Sequence, residues 1–476
     1  MRKGTGFHAF LGGSNMKPSE NQPYLPPQKK LTKKTKRKII MYLRIFILVM
    51  LVLILGLSVL LIGRALSSAF ASNPSKQTTS HTDIATSTPS SNESTTGAVS
   101  VTPSPTTMPT TAELLPVSAL ADSFFGPLPT PESPVAVVHH DIHAIYLGQA
   151  AYLDTNIELA KNSEINAFVI DLKESNGVLF NSTNALASSI NAITSSYDLK
   201  KVIQKCHDNN ILVIGRIVCF KDPELAKQKP EFSIKDAQGN PLYFKNEGSN
   251  SFVNPYDTRT WDYNIDIAIE AVQAGVDEIQ FDYVRFPTGG TTTGEKPYFG
   301  DPATTPSKAE VINRFLQTAR IRIQDEYGVP VMADVFAITL SSASDGASLG
   351  QDWASVGLTG IDSVCPMIYP SHYALNTSLN GQNFSKPDFS PHDVVYDALI
   401  MGSDEDSVAG FATVRPYLQA FTASYIGKDD AGNPNWMTYG YDQINAQIKA
   451  VQDAGLNEWI LWNPSAKYPT GAYDGK

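Results

Sequence analysis

Two aspartates stand where burial should exclude them. In "DEIQFDYVRFP", residues 277–287, the middle stretch is rich in aromatic and β-branched residues, the composition of a buried strand, yet Asp282 sits inside it with Arg285 close behind. "VMADVFA", residues 331–337, repeats the pattern around Asp334. A carboxylate in a buried strand costs on the order of several kcal/mol unless it is paired or hydrated. Side chains alternate along a strand, so Gln280 and Asp282 share one face while Ile279, Phe281 and Tyr283 take the other. Asp334 likewise falls with Met332 and Phe336. Two carboxylates at the ends of neighbouring strands suit glycosidic cleavage, where one serves as acid and the other as nucleophile or base. The competing expectation is that each acid is structural, paired with Arg216 or Arg285.

Other reactive or sugar-binding types gather at corresponding points of the chain. "DLKES" sets Asp171 and Lys173 on one strand face, as site residues or as an ion pair with each other. Arg216 precedes "FKDP". "YPSHY" supplies Tyr369, His372 and Tyr373, "VRPYLQAF" carries Gln419, and the last strand ends in Trp462 and Asn463. Aromatic surfaces beside polar donors match a sugar, which has apolar ring faces and hydroxyl edges. Packing in the core is the alternative for each ring. "HHDIH", residues 139–143, has the residue types of a metal site but lies before the first strand. Cys206, Cys219 and Cys365 lack CxxC spacing and read as buried small apolar residues. No cofactor is signalled.

These residues need elements to position them. Eight β-rich segments recur: 143–148, 166–173, 211–220, 277–286, 329–337, 362–370, 414–421 and 457–464. Helical patterns separate several of them, the clearest being "YDLKKVIQKCHDNN", "YNIDIAIEAVQAG", "AEVINRFLQTARIRIQDEYG" and "YDQINAQIKAVQDAG". Alternating strands and helices imply parallel βαβ units, and eight of them predict an α/β fold, a (β/α)8 TIM barrel with a short or missing last helix. An open doubly wound sheet is the alternative. In a barrel of this kind the C-terminal strand ends face the mouth, which is where Asp282 and Asp334 fall, whereas "HHDIH" falls on the opposite, stability face.

The chain has 476 residues and a formal net charge of -10, but the average conceals a basic N-terminus. Residues 1–44 read as a cytoplasmic tail containing "KKLTKKTKRK". Residues 45–63 are uncharged and apolar over the length a transmembrane helix needs. A cleaved signal peptide ending near Ala71 is the competing reading. Residues 64–134, rich in Ser, Thr and Pro, predict a disordered linker able to span on the order of 45 Å. The globular domain follows, 135–476. The expected location is the cell membrane, single-pass, with the domain outside. The basic run beside an apolar helix suits a membrane surface rather than nucleic acid.

"FKDPELA", "NPYDTRTWDYNIDIAIEA", "DEIQFDYVRFPTGG", "ADVFAIT", "PMIYPSHY", "VRPYLQAF" and "LWNP" together resemble a glycoside hydrolase domain of exported, mostly bacterial proteins, grouped with amylase-like TIM barrels. The resemblance covers most of 140–470 and implies a barrel with glycosidase chemistry but supplies no substrate; cell-wall or extracellular polysaccharide is the substrate expected of an exported, anchored hydrolase. By analogy with amylase-like barrels it makes Asp282 the nucleophile. Those barrels usually carry a Glu acid on strand five, and here the residue is Asp334. A non-catalytic glycan-binding barrel and a polysaccharide deacetylase are the alternatives, the latter requiring an Asp/His/His set at a mouth whose strand ends offer only His372.

Overall fold

The structure, a computed structural model, describes residues 118–131 and 133–476. The basic tail 1–44, the apolar segment 45–63 and the linker up to residue 117 lie outside the described residues. Among the described residues no helix is long and apolar enough to cross a membrane.

Eight parallel strands form the barrel: β1 His143–Gly148, β2 Ala167–Glu174, β3 Leu212–Val218, β4 Glu278–Asp282, β5 Val331–Phe336, β6 Ser363–Ile368, β7 Tyr417–Gln419 and β8 Trp459–Trp462. Each pairs with the next, and β8 pairs with β1 to close the ring. Seven helices lead from one strand to the next: α1 Leu153–Ala160, α2 Leu199–His207, α3 Thr258–Ala274, α4 Lys308–Ala319, α5 Trp353–Val356, α6 Pro391–Asp406 and α7 Tyr441–Asp453; shorter helices at Ala185–Ser189, Pro223–Gln228 and Ala343–Leu349 lie within the connections. No helix follows β8 among the described residues. Local chemistry sets the helix ends. Asp257 caps α3, which stops at Gly275 in the left-handed conformation, and Ser307 and Glu310 close a reciprocal capping box at the start of α4.

Alternation divides the core into two shells. Ile279, Phe281, Val331, Ala333 and Val335 face the helices, whereas Ala144, Val169, Ile214, Met332, Cys365, Tyr417 and Ile460 fill the barrel interior. The three cysteines are free and buried. At the N-terminal face a charged plug takes over. Arg415, fully buried, donates to Glu458 at 2.5 Å and to Glu278 at 2.6 Å, while His139 bridges Asp362 and Glu458. Pro416 stands between a short segment Thr413–Val414, which pairs with β6, and β7 proper, so the seventh segment is split.

One boundary needs correction. Residues 118–126, expected in the disordered linker, include a helix, Ala119–Phe125, docked on α4. Ser118 donates to Glu310 at 2.5 Å, Arg314 pairs with Asp122 at 2.6 Å, and Phe125 lies 4.8 Å from Trp261 of α3. The paired phenylalanines at 124–125 supply the apolar face that the preceding Ser/Thr/Pro sequence lacks.

Candidate active site

Asp282 closes β4 and points into the barrel mouth, 7% exposed. Its Oδ2 accepts from Arg216 of β3, at 3.1 Å from Nε and 2.6 Å from Nη2. Its Oδ1 accepts from the Tyr283 N–H at 2.5 Å. Tyr283 holds φ at +50°, left-handed and unusual for an aromatic residue, so the strand stops abruptly behind the acid. That turn breaks the alternation the sequence implied for Tyr283. Lys221 and Arg285 lie 4.6 and 5.0 Å from its ring centroid.

Arg216 is shared. Its Nη1 also donates to Asp171 of β2 at 2.5 Å and to Glu174 at 2.6 Å. Burial alone would favour the neutral guanidine, but the facing carboxylates outweigh it and hold the charge more firmly than usual. Asp171 in turn accepts from the Tyr146 hydroxyl of β1 at 2.6 Å, and Tyr197 donates to its backbone carbonyl at 2.6 Å. Burial raises the Asp171 pKa, against the pull of Arg216. Gly148, at φ +56°, leaves room here. A Cβ at this position would meet the Tyr146 hydroxyl at 3.3 Å and Asp171 Oδ2 at 3.4 Å.

Asp334 of β5 is the contrasting acid. Phe281 pairs with Ala333, so Asp282 and Asp334 stand one step further at the same height on adjacent strands, whose axes lie about 4.8 Å apart. Asp334 is 1% exposed, and its Oδ1 has no hydrogen-bond partner among the described residues. Burial first, then the negative charge of Asp282, push its pKa well above the ordinary carboxyl value despite Arg216. Beneath the pair Gln280 is fully buried, accepting from Tyr417 at 2.8 Å and donating to the Met332 sulfur at 3.4 Å, so it forms the floor.

Four other candidates are bound into structure. Lys173 was expected beside Asp171. A bulge between them, where Asp171 pairs with Arg216 but Lys173 with Ile217, swings Lys173 out of the mouth. It is 0% exposed, bound to Asp222 at 2.8 Å and to the Val218 carbonyl at 2.6 Å, and it lies over Tyr263 of α3. The Asp171–Lys173 ion pair therefore does not form. Arg285 spends its charge on buried Glu247, at 2.9 Å. Burial would raise the Glu247 pKa, yet the Arg285 charge and hydrogen bonds bring it to about 2. Gln419 accepts from the Ser371 N–H at 3.0 Å and donates to Asp388 at 2.9 Å, tying both ends of the β6–α6 connection to β7. Asn463 donates to the Ala420 and Lys467 carbonyls at 2.6 and 2.8 Å and so orders a turn.

The aromatic candidates gather in one cluster, in which Tyr369 is buried as the core-packing alternative expects. Tyr369 stacks on Trp462 with centroids 5.7 Å apart, and His372, exposed, meets Tyr369 edge-on at 5.0 Å. Phe421 packs on Trp462 at 5.2 Å, and Tyr146 links this wall to the acids, 6.2 Å from Trp462. Sequence reasoning missed Tyr146, Glu174 and Phe421. Inward alternation on β1 was the available signal for Tyr146; nothing local marked Glu174, whose placement depends on the bulge.

His139, Asp141 and Glu458 have metal-ligand spacing, but they lie at the N-terminal face, and both His139 nitrogens already face carboxylates. A groove of about 610 Å³ lined by Phe180, Tyr197, Lys200 and Glu270, among others, lies between the β2–α2 connection and α3 and excludes both Asp282 and Asp334.

Three solved structures illustrate what the chain is similar to. A hypothetical protein from Ruminiclostridium thermocellum is 38% identical, covering 40% of this chain and 97% of its own, with a TM-score of 0.34. The PgaB (BpsB) glycoside hydrolase domain from Bordetella bronchiseptica is 12% identical over 68% of this chain and 94% of its own, with a TM-score of 0.48. The Bacillus cereus spore cortex-lytic enzyme SleL is 13% identical over 69% of this chain and 72% of its own, with a TM-score of 0.38. No curated protein matches the chain. A family profile, however, matches residues 141–468, from the start of β1 to beyond β8, and by that match the chain belongs to the family described as "putative glycosyl hydrolase domain".

Proposed function

We propose that this protein is a glycoside hydrolase of extracellular or cell-wall polysaccharide, held at the cell membrane by residues 45–63 with its barrel outside. The observation that carries the chemistry is the unequal pair Asp282 and Asp334, in register on adjacent strands at the mouth. Asp334, dry and with its pKa raised by burial and by the charge of Asp282, favours its protonated form and serves as the acid that protonates the leaving glycosidic oxygen. Asp282 carries a charge oriented by Arg216 and the Tyr283 N–H. It meets the positive charge that develops at the anomeric carbon, as nucleophile or through a water. The half-buried Trp462 and Phe421 rings, backed by Tyr369, offer the apolar surface on which a sugar stacks. A metal-dependent deacetylase gains no support at the mouth, where His372 is joined by no second histidine among the described residues.

The test is Asp282→Asn in the full-length protein, with melting temperature and turnover on a polysaccharide panel measured on one sample. Activity should fall by about three orders of magnitude or more. Stability should change by no more than about 1–2 kcal/mol, because Arg216 keeps Asp171 and Glu174 as partners. A well-folded, fully active variant would remove Asp282 from the reaction.

A further inference from the structure

The connections at the mouth are very unequal. Those after β2, β3 and β4 span residues 175–198, 219–257 and 283–307, and those after β6 and β7 span 369–390 and 420–440. By contrast, β1 reaches α1 through residues 149–152, and β5 reaches α5 through residues 337–352, which open with a tight turn, Ala337–Leu340, and then form a helix, Ala343–Leu349, that packs outward on α4. Strands one and five stand opposite each other in an eight-stranded ring. The long loops therefore rise as two walls on either side of a line running from β5 to β1.

Each wall is braced internally. Glu247, in the β3–α3 connection, holds Arg285 and accepts from Thr288 at 3.0 Å, both in the β4–α4 connection, and the Lys245 N–H donates to the Gly290 carbonyl at 3.0 Å. In the other wall Lys386 pairs with Asp429 at 2.9 Å, and Asp388 accepts from Gln419 and from the Met437 N–H, each at 2.9 Å. The aromatic surface continues up this second wall. Beyond Trp462, Phe421 and His372 stands Tyr425, 65% exposed, with its hydroxyl 3.3 Å from the Ser371 hydroxyl beside His372. A ring that exposed, fixed by its polar end in the β7–α7 connection and outside the hydrogen-bond set of Asp282, is placed to meet a part of the ligand away from the bond that breaks.

We infer that the mouth is a trough open at both ends that takes an internal stretch of a glycan chain, with Tyr425 as a distal sugar platform, so that cleavage falls within chains rather than at their tips. This rests on the glycosidase reading above. A closed pocket would admit only a chain end; two walls with low ends admit a chain passing through. Because Tyr425 touches only the far part of such a ligand, its contribution depends on ligand length.

The full-length protein and its Tyr425→Ala variant are assayed on glycol chitin, soluble starch and carboxymethyl cellulose, and on aryl glycosides of the sugar accepted. The expected result is early mid-length products, with viscosity falling ahead of reducing-end release. The ratio of kcat/KM on polymer to kcat/KM on the aryl glycoside should drop about tenfold in the variant. Monosaccharides or disaccharides as the first products, or an unchanged ratio, would overturn the trough while leaving hydrolysis intact. If none of the polymers is cut, affinity electrophoresis in gels containing each polymer takes over. Retardation that Tyr425→Ala weakens supports the trough and counts against the hydrolase, and absence of retardation overturns the trough as well.

Discussion

At the residue scale, one guanidinium serves three carboxylates and a fourth acid is left without it. Asp334→Asn should therefore not destabilise the protein near neutrality. The wild-type acid has a raised folded pKa, so its contribution to stability is full below the unfolded value and is lost as pH rises toward the folded one. The Asn variant has no such loss. Its melting temperature relative to wild type should climb between pH 4 and pH 8, and a flat difference would mean that Asp334 ionises as it would in water. Its activity should fall steeply on ordinary glycosides but survive in part on a substrate with a very good leaving group. Arg216→Met is the opposite case. It leaves Asp171, Glu174 and Asp282 facing one another, costs about 3–5 kcal/mol, and should be partly rescued by adding Asp171→Asn. The sequence offered Arg216 or Arg285 as a structural partner for Asp282 and Asp334; Arg216 pairs with Asp282, whereas Arg285 pairs with Glu247 and neither arginine forms an ion pair with Asp334. The sharing was not legible, because it depends on Tyr146 and Glu174 arriving from other strands.

At the element scale, period-2 alternation was reliable wherever a strand ran without interruption. It put Gln280, Asp282 and Met332 inside and Ile279 and Phe281 outside. It failed at Lys173, where a bulge changes which face a residue takes, and at Tyr283, where a left-handed turn ends β4. Neither break has a Gly or Pro to announce it. Lys173→Met should cost about 2–4 kcal/mol by leaving Asp222 buried without its cation, while kcat on any substrate stays within a few-fold of wild type. Equal loss of kcat and stability would return Lys173 to the site. The strand ends at the other face depend on the charged plug. Hydrogen bonds that His139 donates to Asp362 and Glu458 raise its pKa to about 10, so its contribution is full below pH 6.5 and fades as pH rises through about 10. Arg415, His140 and Glu278 face the same cluster. Thermal melts from pH 7 to 10 should show wild type falling faster than His139→Gln.

At the scale of the whole molecule, the barrel and its eight strands were legible because parallel βαβ repetition writes itself into composition at regular intervals. The start of the folded unit was not, since seven helical residues within a polar linker give too short a period to read. A chain beginning at Ser118 should unfold cooperatively, and one beginning at Val135 should melt lower, by roughly 2–4 °C per kcal/mol lost with the Arg314–Asp122 pair and the Phe125 contact. The proposed anchor at residues 45–63 predicts that protease added to intact cells removes the barrel and spares the N-terminus, and release of the intact chain into the medium would overturn it. The same docked helix has a mechanical meaning. Tension applied along the N-terminal chain reaches Ser118 and Asp122 on α4 before it reaches β1, whose hydrogen bonds to β8 and β2 close the ring. In a force-ramp experiment pulling from that end, a small early extension from peeling Ala119–Phe125 should precede the opening of the barrel, so the helix acts as a strain relief for the seam.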